Sequence, residues 1–215
     1  RGGVFAPSPA PSAALGGPAP PPMPSRPVAE PYSTTRLPGP SAALPSRDGG
    51  RPPAGVQIRV GIVTVSDRAS RGEYDDLGGP ALKQAASGHG WEVLGEALVP
   101  DEKRDIQRAV RELVNRGCAL VLTTGGTGVA LRDVTPEAVR EIAVRELPGF
   151  GEVMRAESMK LTRNAILSRS LAAVVDHALV ICLPGKPAGA VECLSFVAGA
   201  IPHCVEVLQE VPTSC

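Results

Sequence analysis

From about Gln57 onward, short β-branched runs alternate with stretches whose apolar residues recur at helical spacing. Arg59-Val60-Gly61-Ile62-Val63-Thr64-Val65 is apolar at nearly every position, as a parallel strand covered on both faces is. Residues 79–87 put Leu82, Ala85 and Ala86 on one face and predict a helix, stopped by Gly88-His89-Gly90. Residues 91–99 predict a second strand. After Pro100-Asp101-Glu102, the residues Ile106, Ala109, Val110, Leu113 and Val114 recur as i, i+3, i+4, i+7 and i+8, the stripe of a helix packed on a sheet. Asn115-Arg116-Gly117 ends that helix, and Cys118-Ala119-Leu120-Val121-Leu122 reads as a buried strand. Thr135-Pro136 predicts an N-cap with proline at the first helical position, and a helix to about Glu146. Leu147-Pro148-Gly149-Phe150-Gly151 reads as a break, and residues 152–160 as a further helix. Two strands, Leu171–Val175 and Ala178–Leu183, flank an Asp176-His177 turn, and residues 191–196 and 201–208 form a helical C-terminus. The alternation predicts an α/β fold of three layers, α/β/α, around a mostly parallel central sheet.

The first 56 residues are a different kind of polymer. They hold 15 of the 23 prolines, with Ala, Ser and Gly filling most of the rest, and Glu30 and Asp48 are the only acidic residues before Arg51. Such a segment buries too little apolar surface to offset the entropy of ordering, so a disordered tail or linker is expected over 1–56 and a folded domain over 57–215. Arg at position 1 fits the end of a linker from an upstream domain. The prolines forbid the amphipathic helix of a mitochondrial leader, and a continuous apolar secretory core is missing.

Charge is balanced, with 22 basic and 22 acidic residues, which argues against a coat for nucleic acid or anionic membrane. Aromatics are 3%, too few for single-strand stacking platforms. No apolar stretch is expected to approach the roughly 18 residues that span a bilayer. The five cysteines, Cys118, Cys182, Cys193, Cys204 and Cys215, form no C-x-x-C pair and suit neither zinc nor a disulfide framework. Four of them sit inside apolar segments and read as small buried hydrophobes, and the odd count of scattered thiols fits a reducing cytoplasm.

Chemistry concentrates where the strand at Cys118 stops in Thr123-Thr124-Gly125-Gly126-Thr127-Gly128, followed by Arg132-Asp133 and a new helix. Strand, glycine-rich turn and helix is how an α/β protein holds phosphate at the carboxyl end of its sheet, with successive N–H groups forming an anion nest. The other predicted strand ends are also polar: Ser66-Asp67, Asp101, and Pro184-Gly185-Lys186. Two carboxylates beside a phosphate nest point to a nucleotide held with a divalent metal, because Mg²⁺ takes one or two carboxylates plus phosphate oxygens. Each residue also suits a plainer role. Asp101 could cap a helix, Asp133 could close its turn, Asp67 could pair with Arg68, and Lys186 could be solvated. His89, His177 and His203 lack ligand spacing. The loop is neither a Walker A motif nor a G-x-G-x-x-G dinucleotide fingerprint, so kinase and NAD-enzyme readings lack their motif.

Seven blocks carry a resemblance. They are Ser66-Asp67-Arg68-Ala69-Ser70 through Tyr74, Asp76 and Gly78; Pro100-Asp101-Glu102; Thr123–Gly128; residues 132–138; residues 148–155; Ala165-Ile166-Leu167-Ser168-Arg169; and Leu183-Pro184-Gly185-Lys186-Pro187. In that order they resemble the molybdopterin adenylyltransferases, the MogA-type proteins and the G domains of gephyrin-like proteins. The resemblance implies a role in molybdenum cofactor biosynthesis: transfer of AMP from ATP to molybdopterin, with Mg²⁺ as cofactor, usually in a homotrimer working with other proteins of that biosynthesis. It implies that Asp101 and Asp133 are the essential acidic pair and hold Mg²⁺. It implies that Thr124, Gly125, Gly126, Thr127 and Gly128 hold phosphate, and that Ser66, Asp67, Ser168, Pro184 and Gly185 contribute to pterin or nucleotide binding. A non-catalytic pterin-binding scaffold on the same fold is the alternative.

Overall fold

The computed structural model describes residues 57–210; the tail expected over 1–56, and Cys215, lie outside the described residues. The elements run β1 (Arg59–Val65), α1 (Asp67–Ser70), α2 (Gly78–Gly88), β2 (Glu92–Val99), α3 (Lys103–Asn115), β3 (Leu120–Thr124), α4 (Thr135–Ile142), β4 (Arg145–Glu146), α5 (Pro148–Leu161), β5 (Leu171–Val175), β6 (Ala178–Leu183), α6 (Pro187–Val197) and α7 (Ile201–Leu208). Short 3₁₀ turns lie at Arg163–Leu167 and Ala198–Ala200.

The strands form one six-stranded sheet in the order β2-β1-β3-β6-β5-β4. The pairs β2–β1, β1–β3 and β3–β6 are parallel, while β6–β5 and β5–β4 are antiparallel. The mixed sheet follows from connection length. The two residues between β5 and β6 permit only a hairpin, and Asp176 takes the left-handed conformation this turn requires (φ 52°).

Alternate side chains of each central strand enter opposite cores. Val60 and Ile62 of β1, Leu120 and Leu122 of β3, and Leu179, Ile181 and Leu183 of β6 pack with α2, α5, α6 and α7. Val63 and Val65, Val121, and Val180 and Cys182 pack with α3 and α4. This two-sided burial is why these strands read as continuous apolar runs rather than alternating ones. The stripe on α3 is buried as its spacing predicts: Ile106, Ala109, Val110, Leu113 and Val114.

Several boundaries depart from the sequence expectation. The helix after Pro136 ends at Ile142, because Val144 and Leu147 donate their N–H groups to Val174 and Ala172 O, each at 2.8 Å, and turn that stretch into an edge strand. The expected break at Leu147–Gly151 is instead the start of α5, since Pro148 occupies the first turn, where no N–H partner is needed. Residues 187–190 likewise extend the next helix toward its N-terminus.

One expectation is corrected outright. The stretch Pro187–Leu208 is 22 residues and holds an 18-residue window of mean hydropathy 1.5, long and apolar enough to span a bilayer by length and composition. Glu192, His203 and Glu206 interrupt it, so no unbroken apolar run announces it. Here it is divided by a 3₁₀ turn and lays Ala190, Cys193, Leu194, Val197, Ile201 and Val205 into the core. Cys118, Cys182 and Cys193 are buried free thiols and Cys204 is half-buried. Burial pushes the Cys182 thiol up to about 12, the mark of an unreactive core cysteine.

Leu120 is fully buried in the central strand that leads into the glycine loop. Leu120→Ala is expected to cost about 2–5 kcal/mol, through lost transfer energy and the cavity left behind. A urea titration should show a lower midpoint with an unchanged slope.

Candidate functional site

Four parallel strands end at one level. In the sheet register Val65 lies beside Val99, Thr64 beside Thr124, and Thr124 beside Leu183. The polar continuations Ser66-Asp67, Pro100-Asp101, the glycine loop and Pro184-Gly185 therefore emerge side by side. They do so where the chain leaves β1 for β2 on one side and β3 on the other, the switch point at which open α/β sheets hold ligands.

The loop is shaped by close approach. Gly125 and Gly126 have φ of 106° and 62°, a region that side chains rarely tolerate. A Cβ on Gly125 would lie 2.1 Å from the Val65 carbonyl oxygen; one on Gly126 would lie 2.3 Å from Thr135 Oγ1 and 3.1 Å from Asp101 Oδ1. Gly125 N–H donates to Leu183 O at 3.3 Å, and the Thr124 and Thr127 hydroxyls donate to Pro184 O (2.8 Å) and Leu183 O (3.5 Å). Thr135 begins α4 rather than capping it: its hydroxyl donates to Gly125 O at 2.9 Å. These donors face inward. Among the described residues the N–H groups of Gly126, Thr127 and Gly128 make no hydrogen bond, which leaves three adjacent donors for an anion.

Three carboxylates gather against this loop. Asp67 N–H donates to Asp101 Oδ2 at 2.7 Å, and Asp101 N–H donates back to Asp67 Oδ1 at 3.0 Å, so the two strand ends clasp each other. Asp101 is thus not the cap of α3 and is half-buried at the edge of the cleft; Glu102 occupies the cap position, without a side-chain bond. Arg132 grips Asp67 with two bonds of 2.9 and 3.0 Å and reaches Glu102 at 2.7 Å, displacing the expected Arg68 pairing. The Arg132 hydrogen bonds hold the Asp67 carboxyl below the usual range. Burial pushes Asp101 above it, and the charges of Asp67 and Asp133 add to that rise. Asp133 Oδ2 accepts from Ala130 N–H at 2.8 Å, as a turn-closing aspartate does, and lies 2.7 Å from where a Gly128 Cβ would sit. A cleft of about 560 Å³ borders Asp101, lined by residues 101–105 with Arg132 and Val134.

The remaining predicted residues divide. Gly185 packs on Gly125, with its Cβ direction 3.3 Å from Gly125 Cα, and Pro184 supplies the carbonyl that Thr124 uses. The Ser66 hydroxyl caps α1, accepting from Ala69 N–H at 3.2 Å. The Ser168 hydroxyl turns to Ser170 Oγ at 3.0 Å rather than to the loop. Lys186 is exposed. Sequence reasoning gave no role to Arg132 or Arg169 and made Thr135 only an N-cap, yet all three contact the loop or its acidic partners. Arg169 lies 41 residues beyond the Gly128 carbonyl it binds, so no local spacing announces it. Asp76 also went without a role; it accepts from Gly78 and Gly79 N–H at 2.8 and 3.0 Å and fixes the start of α2.

A family profile described as a probable molybdopterin binding domain matches residues 61–203. The chain is 44% identical over 154 residues to a molybdopterin adenylyltransferase of Helicobacter pylori, covering 70% of this chain and 88% of that protein. It is 43% identical over 168 residues to a molybdopterin adenylyltransferase of Escherichia coli, covering 71% and 86%. Among solved structures it resembles the molybdopterin biosynthesis enzyme MoaB of Thermus thermophilus, with TM-score 0.68 and 43% identity over 73% of this chain and 99% of that one. The strand ends and glycine loop described above fall inside the matched region, and the chain belongs to the molybdopterin adenylyltransferase family.

Proposed function

We propose that this protein transfers AMP from ATP to the terminal phosphate of molybdopterin and releases pyrophosphate, a step of molybdenum cofactor biosynthesis. The observation that carries this reading is the meeting of Asp101 and Asp133 at the glycine loop, one against Gly126 and the other against Gly128. In the transfer an oxygen of the pterin phosphate forms a bond to the α-phosphorus of ATP. The bond from that phosphorus to the α,β-bridging oxygen breaks, and pyrophosphate leaves with the electron pair. The obstacle is repulsion between two polyanions more than a lack of nucleophilicity, so positioning and charge neutralisation supply most of the catalysis.

The chain's own groups suit those tasks. The N–H groups of Gly126, Thr127 and Gly128 donate to phosphate oxygens, while Thr124 and Gly125 hold the loop against β6 and β1. Asp101 and Asp133 are hard oxygen donors beside those N–H groups, a pair that fits Mg²⁺ shared with phosphate. Mg²⁺, when bound, neutralises phosphate charge and draws off the developing charge of the leaving group. Ser66 and Asp67 border the nucleotide, and Ser168, Pro184 and Gly185 form the side assigned to the pterin. The proposal extends to a homotrimer. An apolar groove of about 350 Å³ between α5 and α6, lined by Phe150, Val153 and Phe196 among others, supports burial between copies. The free thiols support a reducing compartment, the cytoplasm.

Asp101→Asn and Asp133→Asn should each lower AMP transfer by roughly 10²–10³-fold while molybdopterin binding persists. Mass detection of adenylylated pterin after incubation with molybdopterin, ATP and Mg²⁺ checks this. Unchanged turnover in both variants would sink the assignment, and pterin binding without product in the wild type would leave only a scaffold. Asp101 also predicts a trade against stability. Its carboxyl is raised in the folded state, so the native protein binds more protons than the unfolded chain between the ordinary and the raised value, and stability falls as pH rises through that window. Asp101→Asn keeps an acceptor for Asp67 N–H and removes the charge. Its melting temperature should exceed wild type at neutral pH, and the advantage should vanish below the ordinary aspartate range. Light scattering should give the mass of three chains.

A further inference from the structure

We infer that Arg169 is a positioning residue that sets the place of Asp133 and of the outer half of the glycine loop. The inference rests on the adenylyltransferase reading of the site. Residues 128–133 have little packing to locate them: Val129 is 66% and Leu131 99% exposed. The turn closes on itself only through Ala130 N–H to Asp133 Oδ2 and Asp133 N–H to Ala130 O. The Arg132 side chain reaches out from the turn to Asp67 and Glu102, while the two backbone ends of the turn are tied to the rest of the protein by Arg169. Its backbone N–H donates to Thr127 O at 3.0 Å, and its Nε to Gly128 O at 2.6 Å. Its Nη2 donates to Asp133 O and its Nη1 to Glu137 Oε1.

One guanidinium edge therefore spans the two carbonyls that bracket the exposed turn, while the other end is anchored to α4. The planar fork has the geometry for this, and the half-buried setting limits competition from water. A lysine ammonium could satisfy one of these acceptors but not hold all three in fixed relation. Glu137 depends on the same residue, since its Oε2 is buried without a partner. Arg169 follows Ser168, so it also joins the side assigned to the pterin to the loop assigned to the nucleotide. Arg169 has no need to touch either substrate; it acts through Asp133.

The test uses the full chain as wild type, Arg169→Lys and Arg169→Ala. Amide hydrogen exchange should quicken by roughly tenfold or more at Ala130 and Asp133 in both variants, while amides of β1 and β3 keep wild-type protection. The kcat for AMP transfer should fall about 10²-fold, the scale of a misplaced group, with KM for molybdopterin within about threefold. Free guanidinium ion should restore part of the rate to Arg169→Ala and none to Asp101→Asn. Wild-type exchange at Ala130 and Asp133 in Arg169→Lys would overturn the inference. So would a raised KM for molybdopterin with unchanged kcat, which would make Arg169 a direct pterin contact. Faster exchange throughout β1 and β3 in both variants would also overturn it, as a sign of general destabilisation. If the wild type makes no adenylylated product while the local exchange contrast persists, the positioning stands and the reaction assigned to the site fails.

Discussion

The contact on which the site depends is the approach of Gly125 to the end of β1, where a Cβ would lie 2.1 Å from the Val65 carbonyl oxygen. Backbone meets backbone there because β1 and β3 are parallel neighbours ending at one level, and a side chain at this point would drive them apart. With that approach in place, the chain turns sharply through Gly126, and the N–H groups of Gly126, Thr127 and Gly128 make no hydrogen bond among the described residues. The same turn brings the loop under the Thr135 hydroxyl, which ties the beginning of α4 to Gly125 O. A strand pairing thereby fixes the shape of the loop without help from any ligand.

The acidic residues are arranged around that surface under tension. Asp67 and Asp101 exchange backbone-to-carboxylate bonds across two strand ends, and the pair shares a single bidentate arginine, Arg132, bound on the Asp67 side. Asp67 is therefore comfortable as an anion and Asp101 is not: burial and two neighbouring carboxylates oppose its charge. Two carboxylates held in contrasting environments within one cleft are a functional signature more than a stabilising one.

Most of the architecture was legible in the sequence, because β1, β3, β5 and β6 are buried on both faces and α3 shows a clean stripe. Arg59–Val65, Leu171–Val175 and Ala178–Leu183 were delimited correctly, and α3 by its five apolar residues. The boundaries that failed were decided by tertiary contacts. Residues 144–147 left their helix to pair with β5, and α5 began at Pro148 because proline suits a first turn. The 187–208 stretch hid its overall apolarity behind Glu192, Ser195, His203 and Glu206.

The site divided along the same line. Glycines, threonines and the two aspartates were visible because strand-loop-helix patterning is local, and their order along the chain carried the family resemblance. What each group does with its hydrogen bonds was not visible. Thr124 and Thr127 look like phosphate ligands in sequence, but their hydroxyl donors point to the β6 end, so the donors the loop leaves unpaired are backbone groups, which side-chain identity does not announce. Arg132 and Arg169 show the same limit more sharply. Both are basic residues whose roles depend on carbonyls and carboxylates far away in the chain, and a lysine at either place would look equally plausible on composition. Only the folded arrangement distinguishes a solvated cation from one whose planar fork bonds the backbone of the glycine loop or its acidic neighbours.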